Sequence, residues 1–445
     1  MTSAENKDFC RLRFLIVGGG LASLASALAL KQAGHDVTIF ERMPRLQQIG
    51  AGIQLSPNAT RTLRSWGILD AVLKHAYQPR TSVFRSWHNG KVLAPFLPPS
   101  SYIEATYGAP YIVVHRADLL AVMVSAAEAC GVTIRLGCNV TDVRLEDATV
   151  ILSDGEYVSG DVILGADGER SYCRSVLAGR LDLPVPTDDV VARIAVSRND
   201  ILQDEKHPSW ELMQPGSVNV WLGPDSHAVS YLLNNSNILN VVLIRKEPRR
   251  RPQDVMYGPQ PVALQDLRES FDGWDPALRA LIDVPGRSHC IKWTMLRINE
   301  VKHWRHQGGA PFCVLGDAAH AMPPYLAQGA AQAFEDAAAL GSIFSKISSK
   351  DRIADALQTF ESVRKPRVDK ILELTLSRKD MYGMHDGEEQ QLRDERLALG
   401  DDEESPDYQA RPKFREWLWG YDAAADAAQA WEKVVQAASS TRQAV

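Results

Sequence analysis

The chain has 445 residues, of which 45% are hydrophobic and 23% are charged, and its formal net charge at pH 7 is -6. The length predicts two or three structural units, and the composition is that of a globular protein. The negative charge argues against a nucleic-acid or polybasic membrane partner. The six cysteines are scattered, with no CxxC pair and no Cys/His cluster, which argues against a disulfide framework and a zinc site.

The amino-terminal residues are polar, and the apolar run after them is short and broken by glycines. This pattern is typical of neither a signal peptide nor a membrane span. No later stretch approaches the roughly 20 apolar residues that cross a bilayer. We expect a cytoplasmic protein with reduced thiols, a monomeric or homodimeric state, and no bound metal.

Residues 13–41 are predicted to form a strand, a glycine turn, a helix and a second strand. The apolar run 13–17 precedes three glycines, the segment 21–33 is rich in Ala and Leu, and the residues 37–40 suit a strand. This order opens a doubly wound α/β domain.

The glycine turn has the spacing of a dinucleotide-binding site. In Gly18-x-Gly20-x-x-Ser23, the glycines let the backbone approach a pyrophosphate, whose charge lies at the helix N-terminus. Glu41 follows Gly20 by 21 residues, at the end of the second strand, where a carboxylate can accept a ribose hydroxyl. The glycine turn alone does not distinguish NAD from FAD.

Further along the chain, the pattern of residue types changes twice. Between about 186 and 245, short β-rich runs separated by Pro, Gly, Asp and Asn predict a largely antiparallel sheet; they are 190–196, 210–213, 218–222, 228–233 and 239–244. A second α/β portion is expected to resume near Cys290 and to include 311–315. From about residue 326 the chain is expected to be helical to its end.

Two later motifs decide between the dinucleotides. The first is DVILGADG at 161–168, followed by Ser171 and Arg174, and the second is VLGDAAH at 314–320, followed by Pro323, Pro324 and QGA at 328–330. The ordered set GGG, DGxxSxxR and GDAAH resembles the group A flavoprotein aromatic hydroxylases, such as p-hydroxybenzoate hydroxylase and salicylate hydroxylase. The segments GAGIQ at 50–54, HRADL at 115–119 and WLWGYD at 417–422 extend this resemblance over nearly the whole chain.

The resemblance implies an α/β fold with three parts. A Rossmann-like FAD-binding domain is expected in two pieces, residues 10–180 and 286–345. A mostly antiparallel β-sheet substrate domain is expected as an insertion at 181–285, and a helical C-terminal region is expected at 346–445.

The resemblance also implies the activity of a flavin-dependent monooxygenase. Such an enzyme binds FAD, uses NAD(P)H as co-substrate and O2 as oxidant, and hydroxylates a small aromatic, phenolic substrate through a C4a-hydroperoxyflavin. The cofactor performs the difficult step, so no metal ligands are needed. The alternatives are a flavin-dependent oxidase or dehydrogenase, and a flavin-binding electron-transfer protein without hydroxylation.

The resemblance implies a set of FAD-binding residues. Asp317 is expected to bind the ribityl chain, Arg116 to lie beside the ribityl–phosphate region, and Asp167 with Gly168 to lie near the pyrophosphate. The start of a helix at Gly329 is expected to face the N1/O2 edge of the flavin ring, where a helix N-terminus favours negative charge. The expected FAD-binding residues are Gly18, Gly20, Glu41, Arg42, Gly52, Arg116, Asp167, Gly168, Asp317, Gly329 and Ala330.

Three residues are candidates for substrate chemistry. His227 and Tyr231 are four residues apart on a predicted strand, so alternation places both on one face. The resemblance implies a role for this pair, because several phenol-hydroxylating relatives carry a similar His-x-x-x-Tyr that orients and deprotonates the substrate hydroxyl. The alternative is that His227 caps the preceding turn and Tyr231 fills the core. Arg193 is a further candidate, as a clamp on a substrate carboxylate or phenolate.

Overall fold

The computed structural model describes residues 9–46, 52–214, 216–233, 237–248, 258–284 and 290–443. Gly50 and Ala51 of the GAGIQ segment lie outside the described residues. In chain order the strands are β1 (Arg13–Val17), β2 (Asp36–Glu41), β3 (Gly52–Leu55), β4 (Ala76–Tyr77), β5 (Thr81–Ser86), β6 (Val92–Leu97), β7 (Ile112–His115), β8 (Thr133–Leu136), β9 (Val140–Arg144), β10 (Thr149–Leu152), β11 (Tyr157–Ser159), β12 (Val162–Gly165), β13 (Val185–Ser197), β14 (Ser217–Gly223), β15 (Ser226–Leu233), β16 (Ile238–Lys246), β17 (Gln260–Val262), β18 (Cys290–Arg297) and β19 (Phe312–Val314).

The α-helices follow the same chain. They are α1 (Leu21–Gln32), α2 (Pro57–Ser65), α3 (Leu69–Leu73), α4 (Ser100–Tyr107), α5 (Arg116–Ala129), α6 (Tyr172–Ala178), α7 (Arg198–Leu202), α8 (Leu264–Ser270), α9 (Pro276–Ile282), α10 (Asp317–His320), α11 (Gly329–Phe344), α12 (Ile353–Tyr382), α13 (Glu388–Leu397), α14 (Pro412–Trp419) and α15 (Ala423–Gln443). None of the helices in the described ranges is long and apolar enough to cross a membrane.

A five-stranded parallel sheet forms the first layer, in the order β19-β12-β1-β2-β8. Four of the five residues of β1 are buried, because a parallel strand is covered by helices on both faces. The helix α1 packs against α11, although the two helices are far apart in the sequence. The predicted strand, turn, helix and strand are confirmed, and 312–314 joins the same sheet as predicted.

An eight-stranded, mostly antiparallel sheet forms the second unit, in the order β17-β18-β13-β16-β15-β14-β5-β6. It extends beyond 181–285 in both directions, because β5 and β6 come from earlier in the chain and β18 from later. β5 pairs in parallel with β14, although the two strands lie far apart in the sequence. β18 pairs antiparallel with β13, and the α/β portion therefore resumes at β19 instead of near Cys290.

The prediction of a β-rich run at 210–213 is wrong. The segment Glu211–Met213 is a 3-10 helix. Its backbone bonds run from Trp210 N–H to His207 O (2.9 Å) and from Leu212 N–H to Ser209 O (3.1 Å). Four residues are too few for alternation to define a strand, and these local bonds satisfy the backbone instead.

The two faces of the large sheet bury different partners. One face, which includes Ala192 and Trp221, packs with α8 and α9 into a separate apolar cluster. The opposite face, which includes Val191 and Tyr231, packs toward the C-terminal helices. After β19 the described chain contains helices and no further strand, as predicted. The face that carries Tyr231 therefore packs against the rest of the molecule.

Candidate active site

A cleft of about 600 Å³ opens at the carboxyl edge of the parallel sheet. Parallel α/β sheets bind ligands at this edge, and the volume is within the usual range for small-molecule and cofactor sites. Residues from both sheets line the cleft, including all of the expected FAD-binding residues: Gly18, Gly20, Glu41, Arg42, Gly52, Arg116, Asp167, Gly168, Asp317, Gly329 and Ala330.

The glycine turn between β1 and α1 has the geometry of a phosphate cradle. Gly18 has a φ of +103°, and a Cβ atom there would lie 2.5 Å from the Ala166 carbonyl oxygen. Gly20 is the N-cap residue of α1, so no side chain caps this helix. A Cβ atom placed at Gly20 would have no neighbour within 4 Å. The backbone N–H of Gly19 donates to Glu41 Oε2 at 2.7 Å. The Gly18 N–H donates to the Phe40 carbonyl at 2.8 Å, so the N–H groups left for a phosphate are those of the first turn of α1, with the Glu41 carboxylate beside them.

The DG motif and GDAAH follow the neighbouring strands β12 and β19 and both line the cleft. Asp167 accepts hydrogen bonds from the Ser171 hydroxyl and from the Cys173 N–H (3.0 Å), so its carboxylate caps α6 while the residue lines the cleft. Gly168 has a φ of +81° and no neighbour where a Cβ would be placed. Asp317 is exposed at the start of α10 and makes no hydrogen bond to the described residues through its carboxylate.

The proline-rich loop leads into an uncapped helix. Pro324–Leu326 form a 3-10 turn, and Ala327 has left-handed backbone angles, with a φ of +53° and a ψ of +38°. α11 then begins without a side-chain cap and without an acidic residue in its first turn. Ala327, Gly329 and Ala330 line the cleft, so the free N–H groups at the helix start face it.

These features fit FAD. Two helix starts without capping side chains meet the same cleft, and that is where anionic cofactor groups are bound. Arg116 Nε is buried and has no hydrogen-bond partner, although Arg116 lines the cleft. A buried guanidinium nitrogen without a partner is costly, and a phosphate or ribityl oxygen would satisfy it. The described residues include no group of three His, Cys, Asp or Glu side chains that could hold a metal.

The substrate candidates are divided between the cleft and the wall behind it. Tyr231 lines the cleft, and a Cβ at Gly52 would lie 2.7 Å from its hydroxyl oxygen. His227 does not line the cleft. It is buried between the rings of Tyr325 and Tyr382, at centroid distances of 5.4 and 5.1 Å. The two candidates share a sheet face, as alternation predicts, but only Tyr231 reaches the open space.

Arg193 lies on the same face of the sheet and is buried. Its Nε donates to Asn240 Oδ1 at 2.7 Å, and it forms no ion pair with a carboxylate among the described residues. Asn240 Nδ2 is also buried without a partner. Burial lowers the pKa of Arg193, while the nearby Tyr231 opposes that shift. This wall therefore holds a buried positive charge with unused donors.

Residues 11–375 match the family described as FAD binding domain. This span is more than half of the chain. The chain belongs to this family of FAD-dependent aromatic hydroxylases. It therefore binds FAD as its cofactor.

Relatives and solved structures agree with this membership. The chain is 36% identical over 420 residues to FAD-dependent monooxygenase OpS4 of Beauveria bassiana (strain ARSEF 2860), covering 93% of this chain and 96% of that protein. It is 30% identical over 414 residues to 3-amino-4-hydroxybenzoate 2-monooxygenase PtnB3 of Streptomyces platensis, covering 93% and 97%. A salicylate hydroxylase substrate complex shares the fold, with a TM-score of 0.76, 20% identity and coverage of 94% and 98%.

Gln54 and Tyr111 had no role predicted from the sequence. The Tyr111 hydroxyl donates to Gln54 Oε1, and Gln54 is also a hydrogen-bond partner of Tyr231. Gln54 lines the cleft of the FAD-dependent hydroxylase. Nothing local marks Tyr111, because the pairing joins β3 to a residue 57 positions away. Gln54 was visible only as part of the GAGIQ segment.

Proposed function

We propose that this chain is a monooxygenase that uses NAD(P)H and O2 to hydroxylate a small phenolic aromatic compound. One observation carries the proposal. Tyr231, on the large sheet, lines the same cleft as Asp317 and Gly329, the residues expected to bind FAD. An aromatic ring bound against Tyr231 would therefore lie beside FAD. When FAD is bound, it supplies the oxygen-transfer chemistry.

The chain's own residues have to hold and activate the phenol. Burial raises the pKa of the Tyr231 hydroxyl, so it stays protonated at neutral pH and can donate a hydrogen bond to a phenolate. Arg193 behind it favours a negative charge, either a phenolate or a carboxylate. Lowering a phenol pKa from about 10 to about 7 requires about 4 kcal/mol, which a cation and a donor can supply together.

His227 is proposed as the base that receives the phenol proton. Burial lowers its pKa to about 3, with Lys379 and Arg378 acting in the same direction, so the imidazole is neutral at neutral pH. It can take the proton only when the phenolate that forms beside it raises this pKa again. It does not line the cleft. Contacts of a catalytic base are often long before substrate binds, and its place on the Tyr231 face supports the role.

The experiment mixes the FAD-loaded protein with NADPH or NADH and a panel of phenols. We expect the phenol to stimulate coenzyme use and to gain one oxygen atom, detected by mass spectrometry. His227→Ala should slow product formation by roughly 10²–10⁴-fold, the usual weight of general-base catalysis. Tyr231→Phe should be milder, because the ring remains.

Ser230→Ala is the matched control. Ser230 is the neighbour of Tyr231 on β15 and is buried on the opposite face of the sheet, so product formation should stay near the wild-type rate. If the protein consumes coenzyme and releases only H2O2 with every phenol, the proposal of a monooxygenase is wrong. An unaffected rate in His227→Ala would remove His227 alone and make Arg193 the next residue to substitute.

A further inference from the structure

A buried ionic network lies directly behind the cofactor cleft. Glu335 and Asp336 of α11 face Arg364 and Arg367 of α12, and all four side chains are at least nine-tenths buried. Arg364 donates to Glu335 at 2.7 Å and to Asp336 at 2.9 Å, while Arg367 Nε donates to Glu335 at 2.8 Å. Burial alone would raise the pKa of Glu335, yet Arg367 and Arg364 hold it below its ordinary value.

One arm of the network reaches the cofactor loop. Asn58 Nδ2 donates to Glu335 at 2.7 Å and lies 3.1 Å from Gln328 Oε1. Gln328 Nε2 donates to the Ser56 hydroxyl at 2.9 Å. Gln328 is fully buried and is the N-cap residue of α11, while Ala327 on one side and the first helical residues on the other line the cleft. Its side chain therefore fixes the start of α11 from behind.

The other arm reaches the WLWGYD segment. Arg367 Nη1 donates to the Trp417 carbonyl at 3.0 Å, and its Nη2 donates to the Leu418 carbonyl at 2.9 Å. The Arg367 guanidinium carbon lies 3.9 Å from the centroid of the Tyr421 ring. Arg61 Nη2 donates to the Trp419 carbonyl at 2.6 Å, and its Nη1 donates to the Tyr421 carbonyl at 3.0 Å. Arg367 thus joins the C-terminal segment to Glu335.

The chemistry of this connection is more specific than packing requires. Apolar side chains of similar volume often stabilise a core as well as a buried ion pair does. A fully bonded polar network instead fixes relative positions, because a shift of one member leaves a buried group unpaired. We propose that residues 417–421 act through Arg367, Glu335 and Asn58 to position Gln328, and with it the uncapped helix start that faces FAD. Arg367 is a positioning residue, and the inference rests on FAD binding, not on the proposed hydroxylation.

The test measures the dissociation constant of FAD and the flavin reduction potential of the FAD-loaded enzyme without substrate. Arg367→Met should weaken FAD binding about tenfold, within the coupling measured between residues of one network. It should also make the potential more negative, because a displaced helix N-terminus stabilises the negative charge of reduced flavin less. Arg367→Lys keeps the charge beside Glu335 and should restore part of both values.

Arg415→Met is the matched control for a loss of stability. Arg415 is buried in the same C-terminal region and donates to Asp401 at 2.6 Å and to the Gln409 carbonyl at 3.0 Å, with no contact to Glu335. It should lower the melting temperature and leave the potential and FAD affinity unchanged. If Arg367→Met lowers the melting temperature in the same way and also leaves both values unchanged, the network only holds helices together and the inference fails.

A milder pair of variants decides the matter if Arg367→Met does not fold. Tyr421→Leu removes the ring over Arg367 without leaving a buried charge unpaired, while Tyr421→Phe keeps the ring and loses only the hydroxyl bond to Asp426 (2.7 Å). Tyr421→Leu should shift the potential in the same direction as Arg367→Met, and Tyr421→Phe should not. Equal potentials in these two variants would overturn the inference, since the segment would then have no influence on the flavin.

Discussion

His227 shows how burial sets the state of a single side chain. The pKa of its imidazole falls to about 3, whereas a histidine in an unfolded chain titrates near pH 6.5. Between these two pH values the unfolded chain binds one more proton than the folded chain. The contribution of His227 to stability is therefore complete above about pH 6.5 and is lost as the pH falls toward about 3.

This linkage predicts a difference between the wild type and His227→Gln. From about pH 7 to about pH 5, the wild-type free energy of unfolding should fall by about 2 kcal/mol more than that of the variant, because one linked proton contributes about 1.4 kcal/mol per pH unit. Denaturant unfolding of the FAD-free chains at several pH values measures it. Ser230→Ala, which removes no titrating group, should keep the wild-type slope. Parallel slopes in wild type and His227→Gln would show that the imidazole is solvated.

Tyr231 and Arg193 behave differently from His227 at the same scale. Tyr231 reaches the cleft, whereas Arg193 lies behind it, with Nε bonded to a neutral amide. Strand alternation places His227 and Tyr231 on one face, and the pairing of β13 with β16 and of β16 with β15 places Arg193 on the same face. Alternation says which face a residue is on but not how far it lies from the cleft. It could therefore not distinguish Tyr231, which lines the cleft, from the two residues behind it.

Among the elements, the loop before α11 carries a local strain. Ala327 has a φ of +53°, in the left-handed region that costs a residue with a Cβ about 1–2 kcal/mol. Ala327→Gly removes this cost and adds about 0.5–1 kcal/mol of unfolded-chain entropy. The free energy of unfolding should therefore rise by about 0.5–1 kcal/mol, which urea titration of the FAD-free protein measures.

Ala330→Gly is the control for this prediction. Ala330 lies in the first turn of α11, where the backbone is helical and glycine is less favourable than alanine by up to about 1 kcal/mol. The two substitutions, three positions apart, should thus change stability in opposite directions. A loss of stability in Ala327→Gly would mean that the loop holds Ala327 through its methyl contacts and that the left-handed angles cost little.

The elements that the sequence predicted well are those whose signals are local. The glycine turn and Glu41 are contiguous with β1, α1 and β2, so their geometry follows from one short segment. β5 and β6 carry no such signal, because β5 pairs with β14 across 136 residues. The network behind α11 was also not predicted. Its members come from α2, α11 and α12, and each looks like an ordinary polar helix residue until the helices are packed together.

At the scale of the whole molecule, the cleft proposed to bind FAD is lined by parts that are distant in sequence. Its lining includes Gly18 of the first strand turn, Arg116 of α5, Tyr231 of the large sheet and Asp317 after β19. Met322, which lines it, packs against both the apolar cluster of the parallel sheet and that of the large sheet. A ligand that contacts all of these segments binds only the folded chain, so FAD binding and global stability are linked.

This linkage makes Asp317 testable through the stability of the entire chain. Its carboxylate is exposed at the cleft and is expected to accept a hydrogen bond from FAD, worth roughly 1.5–3 kcal/mol for a charged group. Asp317→Ala should therefore weaken FAD binding by about 10–100-fold. Titration of FAD into the cofactor-free protein, followed by fluorescence, gives the dissociation constant.

Thermal unfolding at increasing FAD concentration provides the second measurement. The wild-type melting temperature should rise with FAD, because a ligand at 100 times its dissociation constant stabilises the folded state by about 2.7 kcal/mol. At the same FAD concentration the rise should be smaller in Asp317→Ala. Glu128→Ala, which removes an exposed carboxylate near the far end of α5, should match the wild type at every concentration. If Asp317→Ala followed the wild-type curve, the carboxylate would make no contact with FAD, and the assignment of the GDAAH motif to the ribityl chain would be wrong.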